Sequence, residues 1–184
     1  MSLRRKQINN LVNNLLIQNK ITSAPVPVDE IAEKLGATII YEPNDDDLSG
    51  FLFRDKNRIV LGVNTNHSLV RQRFTIGHEI GHLLLHSQEN FHIDKSYEGF
   101  NRRTVKNKFE RNKDSSTGED KIEREANQFA AQLLMPTEFI QKDMLKLGRI
   151  DLLHDVKLEK LASDYGVSLQ ALMYRLNNLG YIQL

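Results

Sequence analysis

The sequence contains the stretch TIGHEIGHLLLH at residues 75–86, and the spacing of its histidines indicates both a helix and a metal site. His78 and His82 are four residues apart, so on a helix both imidazoles lie on the same face, one turn apart. Imidazole nitrogens in this arrangement bind one zinc ion at about 2.0–2.1 Å. Glu79 follows His78 directly and is rotated away from the ion, which suits a base that acts on water. We therefore predict a helical metal site with Glu79 as its catalytic residue.

The helix that carries this motif is predicted to be long. Apolar residues recur at helical spacing from Ser68 to His86. Gly77 and Gly81 lie inside this helix, where each glycine costs roughly 1 kcal/mol relative to alanine. Such a pair is unfavourable unless the backbone of another element approaches the helix closely. We expect a second element to pack against these two glycines.

Two histidines alone hold zinc poorly, so a third ligand is expected from elsewhere in the chain. His86 continues the four-residue spacing, but a straight helix rises about 12 Å between residues 78 and 86, too far for both to bind one ion. We expect His86 to act at the helix end or behind a ligand instead. A better source is the helical pattern at 121–135, which opens with Glu123 and Glu125. Periodicity does not choose between these two glutamates, and acidic residues also favour helix amino termini without any metal.

The remaining segments predict a mostly helical α+β protein with a small antiparallel sheet. Apolar residues at helical spacing indicate helices at Leu3–Ile17 and between Pro27 and Gly36, and further helices follow Pro136. Runs of β-branched and aromatic residues indicate three strands, at Ala37–Tyr41, Ser49–Arg54 and Arg58–Val63.

The composition is that of an ordinary globular protein. Charged residues make up 27% and hydrophobic residues 40%, and the formal net charge is +1, so charge favours neither nucleic acid nor membrane. The sequence has no apolar run of signal-peptide or membrane-span length, and we expect a cytoplasmic protein. The absence of cysteine excludes thiol catalysis and limits metal ligands to His, Glu and Asp.

The motif and the segments around it resemble the ImmA/IrrE family of metallopeptidases. The resemblance is carried by RQRFT at 71–75, HEIGH at 78–82, EREAN at 123–127 and FAAQLLMP at 129–136. It implies a gluzincin, in which two histidines and a glutamate from a later helix bind zinc. In similar gluzincins this glutamate stands four residues before an Asp or Asn. The resemblance therefore implies the metal ligands His78, His82 and Glu123, with Asn127 as a partner that orients a ligand.

The resemblance also implies a function. Such proteins are zinc-dependent endopeptidases that cleave a helix-turn-helix transcriptional repressor and so derepress a mobile element, a prophage or a stress regulon. The expected cofactor is Zn²⁺, and the expected partner is such a repressor. Similar peptidases bind the substrate backbone along an exposed edge strand, for which Arg58–Val63 is the candidate. The alternative is a DNA-binding or repressor-binding regulatory protein without proteolytic activity.

The expected organisation has two parts. A zincin-like metallopeptidase domain with a small antiparallel sheet is predicted at residues 1–140. Within it, apolar residues are sparse at 87–120, which predicts a mobile loop. A carboxy-terminal helical segment that resembles a helix-turn-helix unit is predicted at 141–184.

The carboxy-terminal segment has the pattern helix, turn, helix at Leu158–Leu179, with Ser168 as a cap of the second helix. From Lys157 onward it has only three basic residues against two acidic ones. That balance gives little attraction for a phosphate backbone, so we do not expect DNA binding. The sequence leaves the oligomeric state open.

Overall fold

The computed structural model describes residues 3–45, 48–86, 91–93, 116–147 and 156–183. These residues form seven helices and a four-stranded sheet. In chain order the elements are α1 (Leu3–Gln18), α2 (Val28–Lys34), β1 (Ala37–Glu42), β2 (Gly50–Arg54), β3 (Ile59–Asn64), α3 (Leu69–Leu85), β4 (Phe91–Ile93), α4 (Ser116–Leu134), α5 (Thr137–Leu147), α6 (Val156–Tyr165) and α7 (Leu169–Leu179). The predicted α+β class with mostly helical structure is confirmed. Among these residues no helix combines the length and the apolar character that crossing a bilayer requires.

The sheet is mixed and has the strand order β1-β3-β2-β4. β2 and β3 pair antiparallel, with Leu52 opposite Leu61, and β4 pairs antiparallel with the other edge of β2. β1 runs parallel to β3, with Ala37 opposite Ile59. The predicted antiparallel pairing is therefore correct for β2 and β3 and wrong for β1, and β4 was not predicted. Strand direction depends on the path of the connecting chain, which the pattern of side chains does not report.

The prediction that Arg58–Val63 forms an exposed edge strand is wrong. β3 lies between β1 and β2, so the ladder occupies both of its backbone edges. The last four residues of β3, Leu61 to Asn64, are all buried, which is typical of an inner strand. Strand addition needs unpaired backbone groups, and the outer strands of the described sheet are β1 and β4.

α3 and α4 pack against each other at the two glycines of the motif helix. A Cβ atom added at Gly81 would lie 3.1 Å from Cα and 3.2 Å from the carbonyl oxygen of Ala126, and 3.2 Å from Cβ of Phe129. At Gly77 the approach is looser, since an added Cβ would lie 3.5 Å from Cα of Ala130. The predicted close approach of a second backbone is confirmed, and it sets α4 directly beside the helix that carries the histidines.

Gly81→Ala is expected to destabilise the protein, with Gly77→Ala as the matched control. Alanine at either position favours the helix by roughly 1 kcal/mol over glycine. At residue 81 the new methyl group meets the backbone of Ala126, and overpacking of this kind costs about 1–3 kcal/mol. Thermal unfolding of the metal-free protein should give a lower Tm for Gly81→Ala and an equal or higher Tm for Gly77→Ala. The reverse order would contradict the packing of α3 on α4.

α6 and α7 form the predicted helix-turn-helix pair. Ser168 caps α7, because its hydroxyl accepts a hydrogen bond from the backbone N–H of Ala171 at 3.1 Å. Buried residues of both helices belong to the same hydrophobic cluster as those of α1, α2 and α4. The division after residue 140 stays a prediction, and the core is continuous across it.

Two arginines form hydrogen bonds that connect this helix pair to the rest of the protein. Arg175 of α7 is 6% exposed and donates to the carbonyl oxygen of Met135 at 3.0 Å and to the side chain of Gln132. Burial lowers the pKa of the Arg175 guanidinium to about 10, so it is still charged near neutral pH. Arg73 of α3 donates to the carbonyl oxygen of Gly166, in the turn between α6 and α7, at 3.2 Å. α7 is therefore tied to the end of α4, and the turn before it to α3.

Regular structure interrupts the segment that was predicted as a loop at 87–120. β4 occupies Phe91–Ile93, and α4 begins at Ser116, earlier than its predicted start at Lys121. Residues 87–90 and 94–115 lie outside the described residues, so the mobility predicted for them stays a prediction.

Candidate metal centre

The histidines of the motif lie side by side in the buried part of α3. His78 is 4% exposed and His82 is 1% exposed, and their Nε2 atoms are 2.9 Å apart. Glu123 of α4 faces both rings, with Oε2 at 3.4 Å from Nε2 of His78 and Oε1 at 3.5 Å from Nε2 of His82. The three side chains offer ligand atoms that all lie within 4.8 Å of one another. The structure thus brings together the two histidines and the glutamate that the family resemblance implies.

This group of donor atoms fits a divalent metal ion. Two imidazole nitrogens and one carboxylate are a ligand set of catalytic zinc, which keeps its fourth position open. At these distances the nitrogen lone pairs and the carboxylate would repel one another unless a cation or protons lie between them. The side chain of Glu123 is 32% exposed, so one side of the group is accessible from solvent.

Asn127 contacts His78 at the ring nitrogen that does not face the other candidate ligands. Its Oδ1 atom lies 3.0 Å from Nδ1 of His78. An amide oxygen accepts hydrogen bonds, so this contact favours the tautomer with the proton on Nδ1, which leaves the lone pair of Nε2 for a metal ion. Asn127 follows Glu123 by one turn, and α4 therefore supplies both the third candidate ligand and the group that orients the first.

Glu79 is fully buried, with 0% of its surface exposed, and bulk water does not reach its carboxyl oxygens. It is next to His78 in α3 but is not a member of the group of clustered ligand atoms. A buried carboxylate that directly follows a candidate metal ligand in the same helix is a candidate proton acceptor for groups that react there. This position is compatible with the base predicted from the sequence.

Glu125 has partners different from those of Glu123. Its Oε2 atom lies 2.5 Å from Nη2 of Arg4 and 3.7 Å from Nε2 of His86. Burial acts to raise the pKa of Glu125, but the hydrogen bond and charge of Arg4, together with His86 and Lys121, hold the pKa below its ordinary value. His86 follows the last residue of α3, and its backbone N–H donates to the carbonyl oxygen of His82 at 3.0 Å. It occupies the helix-end position that the sequence predicted for it.

Arg4 contacts the surroundings of the site, and the sequence did not single it out. It is separated from Glu125 by 121 residues, and nothing in its immediate neighbourhood predicts that pairing. The apolar stripe of α1, which includes the buried Ile8 and Val12, predicted only that one face of the helix would be covered. That face packs on α4.

Both the sequence and the fold of this chain are similar to those of known proteins. The sequence profile of the peptidase M78 family, described as the IrrE N-terminal-like domain, matches residues 32–177. A protein of Bacillus phage phi105, named uncharacterized immunity region protein 2, is 29% identical over 121 residues, which are 66% of this chain and 64% of that protein. This chain therefore spans somewhat less than two thirds of the phage protein.

The fold is similar to that of a solved Mycobacterium tuberculosis transcriptional regulator. The TM-score is 0.61, with 14% identity over 94% of this chain and 46% of that chain. At this identity the likeness is one of fold alone. The family profile, by contrast, covers most of the 184 residues and includes the motif of α3 and the helix that carries Glu123. It bears out the resemblance noted in the sequence, and the protein belongs to the peptidase M78 family of IrrE N-terminal-like domains.

Proposed function

We propose that this protein is a zinc-dependent endopeptidase in which His78, His82 and Glu123 hold one zinc ion. The observation that supports this most strongly is the convergence of their ligand atoms, all within 4.8 Å, from two helices that are locked together at Gly81. A ligand set of two histidines and one glutamate is that of catalytic zinc in peptidases. Membership of a peptidase family supports hydrolysis over a purely structural metal.

The chain supplies the groups that such a reaction needs. When bound, zinc polarises a peptide carbonyl and makes water more acidic. Glu79 takes a proton from the attacking water and returns it to the nitrogen of the leaving amine. Asn127 accepts the hydrogen bond from Nδ1 of His78 and so keeps the other ring nitrogen directed at the metal position. The burial of Glu79 keeps its proton in the site during this exchange.

We infer that the substrate is a helix-turn-helix transcriptional repressor in the cytoplasm, whose cleavage derepresses a mobile element, a prophage or a stress regulon. The relative from phage phi105 is named as an immunity region protein, and the solved structure with a similar fold is named as a transcriptional regulator. Both names agree with a role in transcription regulation. An extended substrate would pair with an outer strand of the sheet, and β4 is the outer strand that follows α3 in the chain.

The alternative function is that of a regulator that binds DNA or a repressor without cutting it, and the observation in its favour is the helix pair α6 and α7. Of the three basic residues from Lys157 onward, Arg175 is buried and donates to protein oxygens. The other two basic residues of this segment, Lys157 and Lys160, are balanced by Glu159 and Asp164, and Nζ of Lys160 lies 3.6 Å from Oδ1 of Asp164. This surface is close to neutral, so binding to a phosphate backbone is disfavoured. Holding a repressor intact is the remaining alternative.

The test is to incubate the purified protein, loaded with zinc, with the helix-turn-helix repressor encoded nearest to it in the genome. We expect defined repressor fragments, whose masses give the cleaved bond, and no fragments when the metal is removed with a chelator. A stable complex in which the repressor stays intact would replace the peptidase proposal by the repressor-binding alternative. A gel-shift titration with duplex DNA, expected to be negative, covers the DNA-binding alternative.

A further inference from the structure

A cluster of ionisable side chains borders the metal centre without belonging to it. It consists of Arg4 from α1, His86 from the end of α3 and Glu125 from α4, and we call it the three-helix clamp. The distance from Arg4 Nη2 to Glu125 Oε2 is 2.5 Å, and the distance from His86 Nε2 to the same oxygen is 3.7 Å. One carboxylate therefore contacts a basic side chain on each of two other helices.

The clamp acts on the helix that carries the third candidate ligand. Glu123 and Glu125 are two residues apart on α4 and face different partners, with Glu123 toward the imidazoles and Glu125 toward α1 and the end of α3. This part of α4 is therefore held on two sides. The backbone contact at Gly81 and Ala126 fixes how close α3 and α4 lie, but apolar contacts alone fix the rotation of a helix less well than a directed charge pair does.

We propose that the three-helix clamp orients α4 so that Glu123 meets the two histidines, and thereby sets the affinity of the centre for its metal ion. This inference rests on the proposed metal site and adds to it three positioning residues. Groups that orient a ligand through another residue typically change metal affinity by about 10–100-fold when they are removed. Because Arg4 and Glu125 act through the position of α4, loss of their contact should weaken metal binding without slowing the metal-loaded enzyme.

The experiment measures zinc affinity of the full chain by competition with a chelating indicator. Arg4→Met is expected to raise the Kd for zinc by about tenfold, toward the lower end of that range, because Arg4 acts through Glu125. Glu125→Gln should weaken zinc binding at least as much, because it also changes the contact with His86. The double variant should be no weaker than Glu125→Gln alone, since the contact with Arg4 is already lost there. Arg4→Lys should recover part of the affinity because it keeps the positive charge. At saturating zinc, kcat of all these variants should equal that of the wild type.

Two controls separate positioning from a general loss of stability. Lys6→Met removes a charge from the same helix at an exposed position. Ile8→Val shortens a side chain that is 0% exposed and destabilises α1 while leaving the clamp intact. Both should bind zinc as tightly as the wild type. If Ile8→Val weakens zinc binding as much as Arg4→Met does, the clamp has only a structural role and the inference is overturned.

Zinc affinity distinguishes an error in the proposed clamp from an error in the proposed metal site. Equal zinc affinity in Arg4→Met and the wild type would overturn the clamp and leave the metal site standing. Absence of zinc binding by the wild-type protein would overturn the metal site, and the clamp with it. The clamp is supported if the Kd for zinc rises in Arg4→Met and Glu125→Gln. It should stay unchanged in Lys6→Met and Ile8→Val.

Discussion

Replacing Glu79 with glutamine is expected to lower kcat/KM for repressor cleavage by about 10²–10⁴-fold, the usual contribution of a general base. Glutamine keeps the size of the side chain and its place in the buried part of α3, but it cannot accept the proton of the attacking water. Glu79 is not among the clustered ligand atoms, so the variant should still bind about one zinc ion per chain. Metal analysis and cleavage rates measured on the same samples check both halves of this prediction.

A matched control for this change is Glu138→Gln, at an exposed position of α5. It makes the same chemical substitution away from the metal centre and should cleave at the wild-type rate. Full cleavage by Glu79→Gln would remove the proposed base from the mechanism. Loss of zinc from Glu79→Gln would mean that this residue supports the metal, and the assignment of roles within α3 would have to change.

Replacing Glu123 with glutamine is expected to weaken zinc binding by more than about 100-fold. That is the upper limit for removing a group that only supports a ligand, and the loss of a ligand itself should exceed it. Glutamine keeps the shape of the side chain but not the negative charge that faces Nε2 of both His78 and His82 at 3.4–3.5 Å. A zinc titration against a chelating indicator measures the effect, and cleavage should be lost in parallel.

Asn127→Ala provides the comparison for Glu123→Gln. Asn127 contacts only the far nitrogen of His78 within the centre, at 3.0 Å, so its removal should cost about 10–100-fold in zinc affinity. Glu123→Gln is therefore expected to be the weaker binder of the two. Wild-type affinity in Glu123→Gln would show that another residue is the third ligand, and the zinc centre as described would be wrong.

The parts of the site that the sequence predicted are those that follow from local helix geometry. The four-residue spacing of His78 and His82 sets both rings on one face of any helix, whatever its surroundings. The glycines at 77 and 81 likewise predicted a close neighbour, because their cost within a helix has to be offset by packing. α4 is that neighbour, and its backbone approaches Gly81 most closely at Ala126.

The choice between Glu123 and Glu125 illustrates what periodicity leaves open. Both glutamates flank the apolar face of α4, and which of them faces the histidines depends on how α4 is rotated against α3. In the structure Ala126 and Phe129 face Gly81, and Glu123 faces the histidines, through tertiary contacts between distant segments. The family resemblance implied Glu123 through the position of Asn127, a relation that composition and spacing do not contain.

Contacts between segments far apart in the chain were either not predicted from the sequence or predicted wrongly. The pairing of Arg4 with Glu125 links residues 121 positions apart, and no local pattern encodes it. The inner position of β3 was wrong for a related reason. The chain forms β2 before β3, and β3 then lies between β1 and β2, so the strand order differs from the order in the sequence. Alternating side chains report which residues are buried but not which strand is the neighbour.

Zinc K-edge X-ray absorption of the protein loaded with one equivalent of zinc tests the central claim most directly. A centre built from His78, His82 and Glu123 predicts a four-coordinate ion with scattering from two imidazoles and with nitrogen and oxygen ligands at about 2.0–2.2 Å. In His82→Ala the imidazole scattering should fall by half or disappear together with the bound metal. A wild-type spectrum without imidazole scattering, like that of hydrated zinc, would contradict the account.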